Sequence, residues 1–158
     1  MVNFSLYPVN YVVDQRESVL RLEHIIGYSS TKCTDIKWSK HEDQPNEILF
    51  AAGNILVAND VFDGSQRFFF GHDAPINAIE ISKDGRLVAT AQSEKNPCIK
   101  LWDFKNARIL GTIPLKLNQI NSISLSYNRK LIAVAGIDPH RRDIIQIYNI
   151  ESIETTKK

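Results

Sequence analysis

Apolar residues in this chain fall in short runs, many alternating with polar ones, between clusters of turn-forming residues. "INAIEIS" (76–82) and "LVATAQS" (87–93) are rich in Ile, Val, Ala and Thr, and the intervening "KDGR" carries the hairpin signal Asp84-Gly85. "CIKLWDF" (98–104) and "RILGTIP" (108–114) follow at similar intervals. No segment sustains an apolar period of 3.6. The pattern predicts an all-β chain of consecutive antiparallel strands.

The strands recur. "INAIEISKDGRLVATA" (76–91) aligns without gaps on "INSISLSYNRKLIAVA" (120–135) at a spacing of 44 residues, with matches on positions that would face a core. "CIKLWDF" is answered by "IIQIYNI" (144–150) after two extra loop residues, and Gly27 and Gly71 are again 44 apart. "ILFAAGN" (48–54) takes the place of "LVATAQS" after the longer loop "KHEDQPNE". A period in the low forties built from four strands describes a β-propeller blade, because one such sheet cannot bury both faces alone. The expected layout is an extension over 1–17, a lone strand near 18–26, and blades at about 27–70, 71–114 and 115–150. Residues 151–158 would be a solvated tail or the start of a further strand. Three blades do not close a ring, which needs at least four. The expectation is therefore an incomplete propeller that oligomerises or takes its remaining blades from a longer chain or another subunit. Of "FFF" (68–70), alternate rings would pack between sheets.

Composition narrows the function. Hydrophobic residues are 43% and charged residues 23% of 158, near the average for a globular protein. With 19 basic and 18 acidic side chains there is no long-range field to favour nucleic acid or an anionic membrane. The opening "MVNFSLYPVNYVV" makes a poor secretory signal, so "NFS" at Asn3 reads as a chance sequon. Cys33 and Cys98 are the only cysteines; without a CxxC pair they read as two buried free thiols, with one disulfide between them as the alternative.

"GH" at 71–72 followed by "LWD" at 101–103 resembles the signature of one blade of the WD-repeat family. The resemblance implies that His72 and Trp102 are structural, linked by hydrogen bonds through a serine and a turn aspartate, with Asp103 in the same network. That aspartate is absent; "SEKNPC" (93–98) offers Asn96 or Glu94, so the network should be incomplete. The outer units depart further, with Tyr28 for His, Leu115-Lys116 for Gly-His, and Tyr148-Asn149 for Trp-Asp. Stretches such as "QRFFFGH" and "ATAQ" before "IKLWDF" are most similar to centriolar WD-repeat proteins of the inner microtubule wall. Echinoderm microtubule-associated-protein-like proteins and cilia- and flagella-associated propellers are more distant. The resemblance implies a non-catalytic scaffold in the cytoplasm, at the cytoskeleton of cilia, flagella or centrioles, with tubulin or other ciliary proteins as partners. The alternative is an adaptor presenting substrates in a ubiquitin ligase or other multiprotein complex. Such adaptors often carry Arg two residues after the WD pair, where this chain has Lys105.

Chemistry is sparse. There is no GxGxxG, Walker loop, HExxH or GxSxG, and His24, His41, His72 and His140 lack partners at metal-ligand spacing. No catalytic residue, metal or cofactor is expected. By the family's layout one rim gathers loops holding His72, Asp73, Lys95, Asn96, Lys116 and Asn118. "DPHRRD" (138–143) joins them, making His140, Arg141 and Arg142 the candidate partner-binding residues. Microtubule surfaces are acidic, which suits a basic loop; flanking Asp138 and Asp143 equally suit a loop that is merely solvated.

Overall fold

The computed structural model describes residues 22–28, 33 and 35–154. Eleven strands follow one another: β1 (Ile36–Trp38), β2 (Glu47–Ala52), β3 (Ile55–Asp60), β4 (Gln66–Phe69), β5 (Ile76–Ile81), β6 (Leu87–Gln92), β7 (Cys98–Asp103), β8 (Arg108–Pro114), β9 (Gln119–Leu125), β10 (Leu131–Ile137) and β11 (Asp143–Asn149). A single helical turn, α1 (Glu151–Glu154), closes the described chain. Each strand pairs antiparallel with its sequence neighbour inside three sheets, β1–β4, β5–β8 and β9–β11. The strand lengths and turns anticipated from 76 onward match these elements to within a residue or two.

The repeat is visible atom by atom, at spacings of 43 and 44 residues between the serines that follow the first strand of each sheet. Ser39, Ser82 and Ser126, just past the first strand of each sheet, donate their backbone N–H to Glu47, Leu87 and Leu131 at 2.8, 2.8 and 2.9 Å. In the second sheet Ser82 Oγ donates to Asp84 Oδ1 at 2.6 Å and accepts from Leu87 N at 3.0 Å; in the third, Ser126 and Asn128 repeat this with Leu131. Gly85 takes φ +71 at the turn and Arg129, its counterpart, takes φ +58. Gly85 cannot carry a side chain: a Cβ there would lie 2.2 Å from the backbone N of His41, where the β1–β2 loop packs on the turn. A bulge in β5 just after Ile76 recurs in β9 just after Ile120.

The middle sheet is sandwiched. One face, with Ile79, Ile81, Val88, Trp102 and Phe104, packs on Leu49, Ala51, Leu56 and Phe69 of the first sheet. The other, with Ala78, Leu87, Ala89, Ala91, Ile99 and Leu101, packs on Ile120, Ile123, Ile132 and Val134 of the third. All six β6 residues are buried in consequence. Phe69 meets Trp102 edge-on at 5.7 Å and stacks on Phe104 at 6.1 Å between centroids. Of "FFF", Phe69 is buried, Phe68 half-buried and Phe70 exposed, the alternation a strand requires.

One ion pair pins the first interface. Arg67 Nε and Nη2 grip both oxygens of buried Glu47 at 2.8 and 2.5 Å. Arg67 Nη1 also donates across the gap to the carbonyls of Phe104 at 3.0 Å and Lys105 at 3.1 Å, and the guanidinium lies 4.9 Å from the Phe104 ring centre. A bidentate pair that satisfies its remaining donors on the neighbouring sheet is the geometry in which a buried charge is tolerated.

Two terminal expectations need correction. The extension over 1–17 and residues 18–21 of the lone strand lie outside the described residues, and 22–26 are not a strand. That segment is held by Ile25, whose N–H donates to Gln66 Oε1 at 2.7 Å and whose carbonyl accepts from Gln66 Nε2 at 3.0 Å. Of the expected tail, residues 155–158 lie outside the described residues, and 151–154 do not run straight on as a strand. The chain turns instead into α1, whose Ile153 fills the space over Gly111, where a Cβ would lie 2.6 Å from Ile153 Cγ2.

Replacing Arg67 by Leu strands the Glu47 carboxylate in the first interface and should destabilise the fold by about 3 kcal/mol. Adding Glu47→Leu should restore most of that loss, both read from urea unfolding followed by tryptophan fluorescence.

Candidate functional site

The loops singled out on the rim start where β5 and β9 begin and where β6 and β10 end, so they share one end of their sheets. Beneath them lies a polar relay within the second sheet. Thr90 and Gln92 are two apart on β6 and therefore point to one face, beside Trp102 on β7. Trp102 Nε1 lies 2.7 Å from Thr90 Oγ1. Thr90 Oγ1 lies 2.6 Å from His72 Nε2, and His72 Nδ1 lies 2.6 Å from Gln92 Oε1. Gln92 Nε2 donates onward to the Asp73 carboxylate and to the carbonyl of Asn96.

The chemistry of the groups orients every proton. An indole N–H only donates, so Thr90 oxygen accepts from Trp102 and its own O–H points at His72 Nε2. An amide oxygen only accepts, so His72 Nδ1 carries the hydrogen. The ring is neutral and holds one tautomer. All four side chains, His72, Thr90, Gln92 and Trp102, are buried. Burial lowers the His72 pKa from 6.5 to about 4; the hydrogen bond to Gln92 and the charge of Asp73 oppose the shift, and the charge of Lys100 adds to it.

The network expected from sequence is corrected in three respects. A threonine, not a serine, bridges His72 and Trp102. The missing turn aspartate is replaced by Gln92, not by the side chain of Asn96 or Glu94; a strand residue two beyond Thr90 with a long amide reaches the ring from the same face. The network is consequently complete as far as Asp73. Asp103 stands apart from it: next to Trp102 in the strand, it points to the opposite face, and its carboxylate accepts from Asn106 Nδ2 at 2.9 Å in the β7–β8 turn. His72 itself lies under the rim rather than on it.

The rim loops are tied to the relay. Exposed Asp73 receives Asn96 Nδ2 at 3.4 Å on its carboxylate and Lys95 Nζ at 2.8 Å on its carbonyl. Lys116, Asn118, His140, Arg141 and Arg142 are exposed. The basic loop is ordered from within. Asp138 accepts from the backbone of His140 and Arg142 at 2.8 and 2.9 Å, and from Arg142 Nε and Nη2 at 2.8 and 2.7 Å. The backbone hydrogen bonds hold the Asp138 carboxyl below the usual carboxylate range. Arg142 is thus engaged inside the loop, while Arg141, at φ +62, projects from its turn.

At the opposite end a polar groove of about 730 Å³ runs between the sheets, lined by residues including Lys40, Asp43, Asp84, Arg86, Lys105 and Arg129. Two ion pairs lie in it, Lys105 with Asp43 at 2.7 Å and Arg129 with Asp84 at 2.9 Å. Among the described residues no three His, Cys, Asp or Glu are disposed to hold a metal ion, and Cys33 and Cys98 are buried free thiols. No described helix is long and apolar enough to cross a membrane.

Because the folded ring resists protonation, the unfolded chain binds the extra proton between pH 6.5 and 4. Stability contributed by His72 is therefore full above pH 6.5 and should fall by about 3 kcal/mol on reaching pH 4. Urea titrations across this range should show that slope, and His72→Asn should flatten it. Thr90→Val leaves both the indole N–H and His72 Nε2 without partners and should cost roughly 2–4 kcal/mol, whereas Thr90→Ser should cost less than half as much.

Residues 64–103 match the family described as WD domain, G-beta repeat. The chain is 27% identical over 150 residues to Centriole proteome protein 16 of Chlamydomonas reinhardtii, covering 87% of this chain and 7% of that protein. It is 27% identical to WD repeat-containing protein 90 of Mus musculus over 85% of this chain and 7% of the relative. Cilia- and flagella-associated protein 52 of Macaca fascicularis is 28% identical over 75% of this chain and 21% of its own length. The chain thus spans less than a tenth of the first two relatives. With the His72–Trp102 bridge inside a four-stranded sheet, flanked by two further antiparallel sheets, residues 64–103 form a WD repeat, and the three sheets have the architecture of partial β-propeller blades.

Proposed function

We propose that the chain is a non-catalytic scaffold that binds partner proteins at ciliary or centriolar microtubules through its loop rim. The observation that carries this is the set of relatives: of three proteins similar over three quarters or more of this chain, two bear names that place them in centrioles or in cilia and flagella, and the third is named a WD repeat-containing protein. The site geometry is consistent with a platform. His72, alone among the described histidines in having polar side chains of described residues on both nitrogens, is neutral, buried and committed to structure, and the rim exposes Lys95, Lys116, His140 and Arg141 around it. WD-repeat propellers serve mainly as binding surfaces, an argument from fold analogy. The blade boundaries proposed are those of the three sheets, with the rest of the ring coming from further blades.

The adaptor reading gains no support from Lys105, whose ammonium is paired with Asp43 at 2.7 Å.

Microtubule binding should appear as co-sedimentation of the chain with taxol-stabilised polymer, weakening as salt rises. Arg141→Glu with Arg142→Glu should lower the bound fraction several-fold. Arg142→Ala alone should have the smaller effect, since Asp138 already engages that side chain. Absence of co-sedimentation at low salt would remove the microtubule as the partner, and unchanged binding by the double variant would remove the basic loop.

A further inference from the structure

The polar groove at the end opposite the rim has fixed walls and uncompensated positive charge. Three connections wall it: β1–β2 with Lys40, β5–β6 with Lys83 and Arg86, and β7–β8 with Lys105. They are fastened to one another. The Lys105–Asp43 pair ties the β7–β8 turn to the β1–β2 loop, and the Arg129–Asp84 pair ties the third sheet to the β5–β6 turn. Backbone packing closes the remaining side, since a Cβ on Gly85 would lie 2.2 Å from His41 N and 2.3 Å from Lys40 C. An occupant meets these walls already in place and has little to order on binding.

The same ties sort the charges. Asp43 and Asp84 are neutralised by their partners, and the Asp103 carboxylate accepts from Asn106. Lys40 and Arg86 are exposed, and neither side chain has a polar partner among the described residues. Lys83 has only the Tyr127 ring, 4.4 Å from its ammonium. Against these cations stands the unpaired carboxylate of Glu42. Lys40 and Lys83 also line a second hollow of about 600 Å³, beside half-buried Leu125 and exposed Tyr127. A small-molecule pocket is mostly apolar and encloses its ligand. Two polar hollows that meet at a pair of lysines suit instead an extended chain carrying carboxylates.

We propose that this end of the stack binds an acidic, extended segment of a partner protein, its carboxylates seated on Lys40, Lys83 and Arg86. Charge complementarity selects the sign of the segment and speeds its encounter. The site lies at the other end of the strands from the loop rim, so it does not depend on what the rim binds.

Fluorescence anisotropy of a fluorescein-labelled octaglutamate peptide should rise and saturate as the 158-residue chain is added at low salt, and the affinity should drop as salt is raised. Lys40→Glu with Arg86→Glu should weaken binding by more than about tenfold. Arg141→Glu with Arg142→Glu makes the same change in net charge on the rim and should alter peptide binding by less than about twofold. Far-UV circular dichroism reports whether each variant folds; should the groove variant not fold, Lys83→Glu replaces it, with a loss in the same direction. A chain that leaves the peptide unbound at low salt, whether because the groove holds it too weakly or because another part of the chain fills the groove, overturns the proposal. So does a groove variant that binds as well as the wild type, or a rim variant that loses as much binding as the groove variant. Because the rim variant is the one expected to lose microtubules, the two readings fail separately.

Discussion

A β-sheet that is apolar on both sides has no stable existence by itself, and that constraint governs this molecule. Burial of apolar area contributes roughly 25 cal/mol per Å², and each sheet can collect it only from a neighbour. The middle sheet has two neighbours and is buried through its full thickness. The outer sheets have one each and are buried on alternate residues. "LVATAQ" and "LIAVAG" are near-equivalent stretches of β6 and β10, yet every residue of the first is inside and only every second residue of the second. Position in the stack, not local sequence, makes the difference.

The two interfaces are built differently. Between the second and third sheets the packing is aliphatic, with Val134 and Gly136 where the middle sheet has Thr90 and Gln92, and Tyr148 where it has Trp102. There the tyrosine hydroxyl donates locally to Gln146 at 2.7 Å and no relay forms. Between the first and second sheets, polar groups are threaded through an aromatic layer: the His72 relay at one end of the strands and the Arg67–Glu47 pair at the other. Each polar side chain of the relay and of the ion pair has a partner, which is the condition for such groups to be tolerated and to fix one arrangement of neighbours. The first interface is the more specific of the two, the second the more generic.

The repeat, the all-β class and most strands were legible because alternation and turn chemistry act locally. Ser82-Asp84-Gly85 and Ser126-Asn128-Arg129 make the same turn with different residues, and the spacing of 44 exposed the kinship even where arginine stands in the glycine's left-handed position. His72 and Trp102 were legible as a pair. Thr90 and Gln92, which join them, were hidden within an ordinary strand: "ATAQ" reads as β whether or not its polar side chains meet a histidine. Their spacing of two, on the side opposite Ala89 and Ala91, is the signal that would have found them. Arg67 and Glu47 could not be paired from sequence, since twenty residues and the whole of β3 separate them and only register brings them together. The departure after β11 was equally hidden, because Ile153 seats on Gly111 through tertiary contact.

The clasp of Asp138 on its own loop has a consequence for recognition. A surface segment that must order itself on meeting a ligand surrenders conformational freedom, on the order of 0.5–1.5 kcal/mol for each immobilised long side chain. Here a single carboxylate has already fixed the backbone of 138–142 and the guanidinium of Arg142. Whatever approaches meets a rigid contour with Arg141 and His140 standing proud of it, so selectivity can reside in shape and in the reach of two side chains rather than in the folding of a flexible arm.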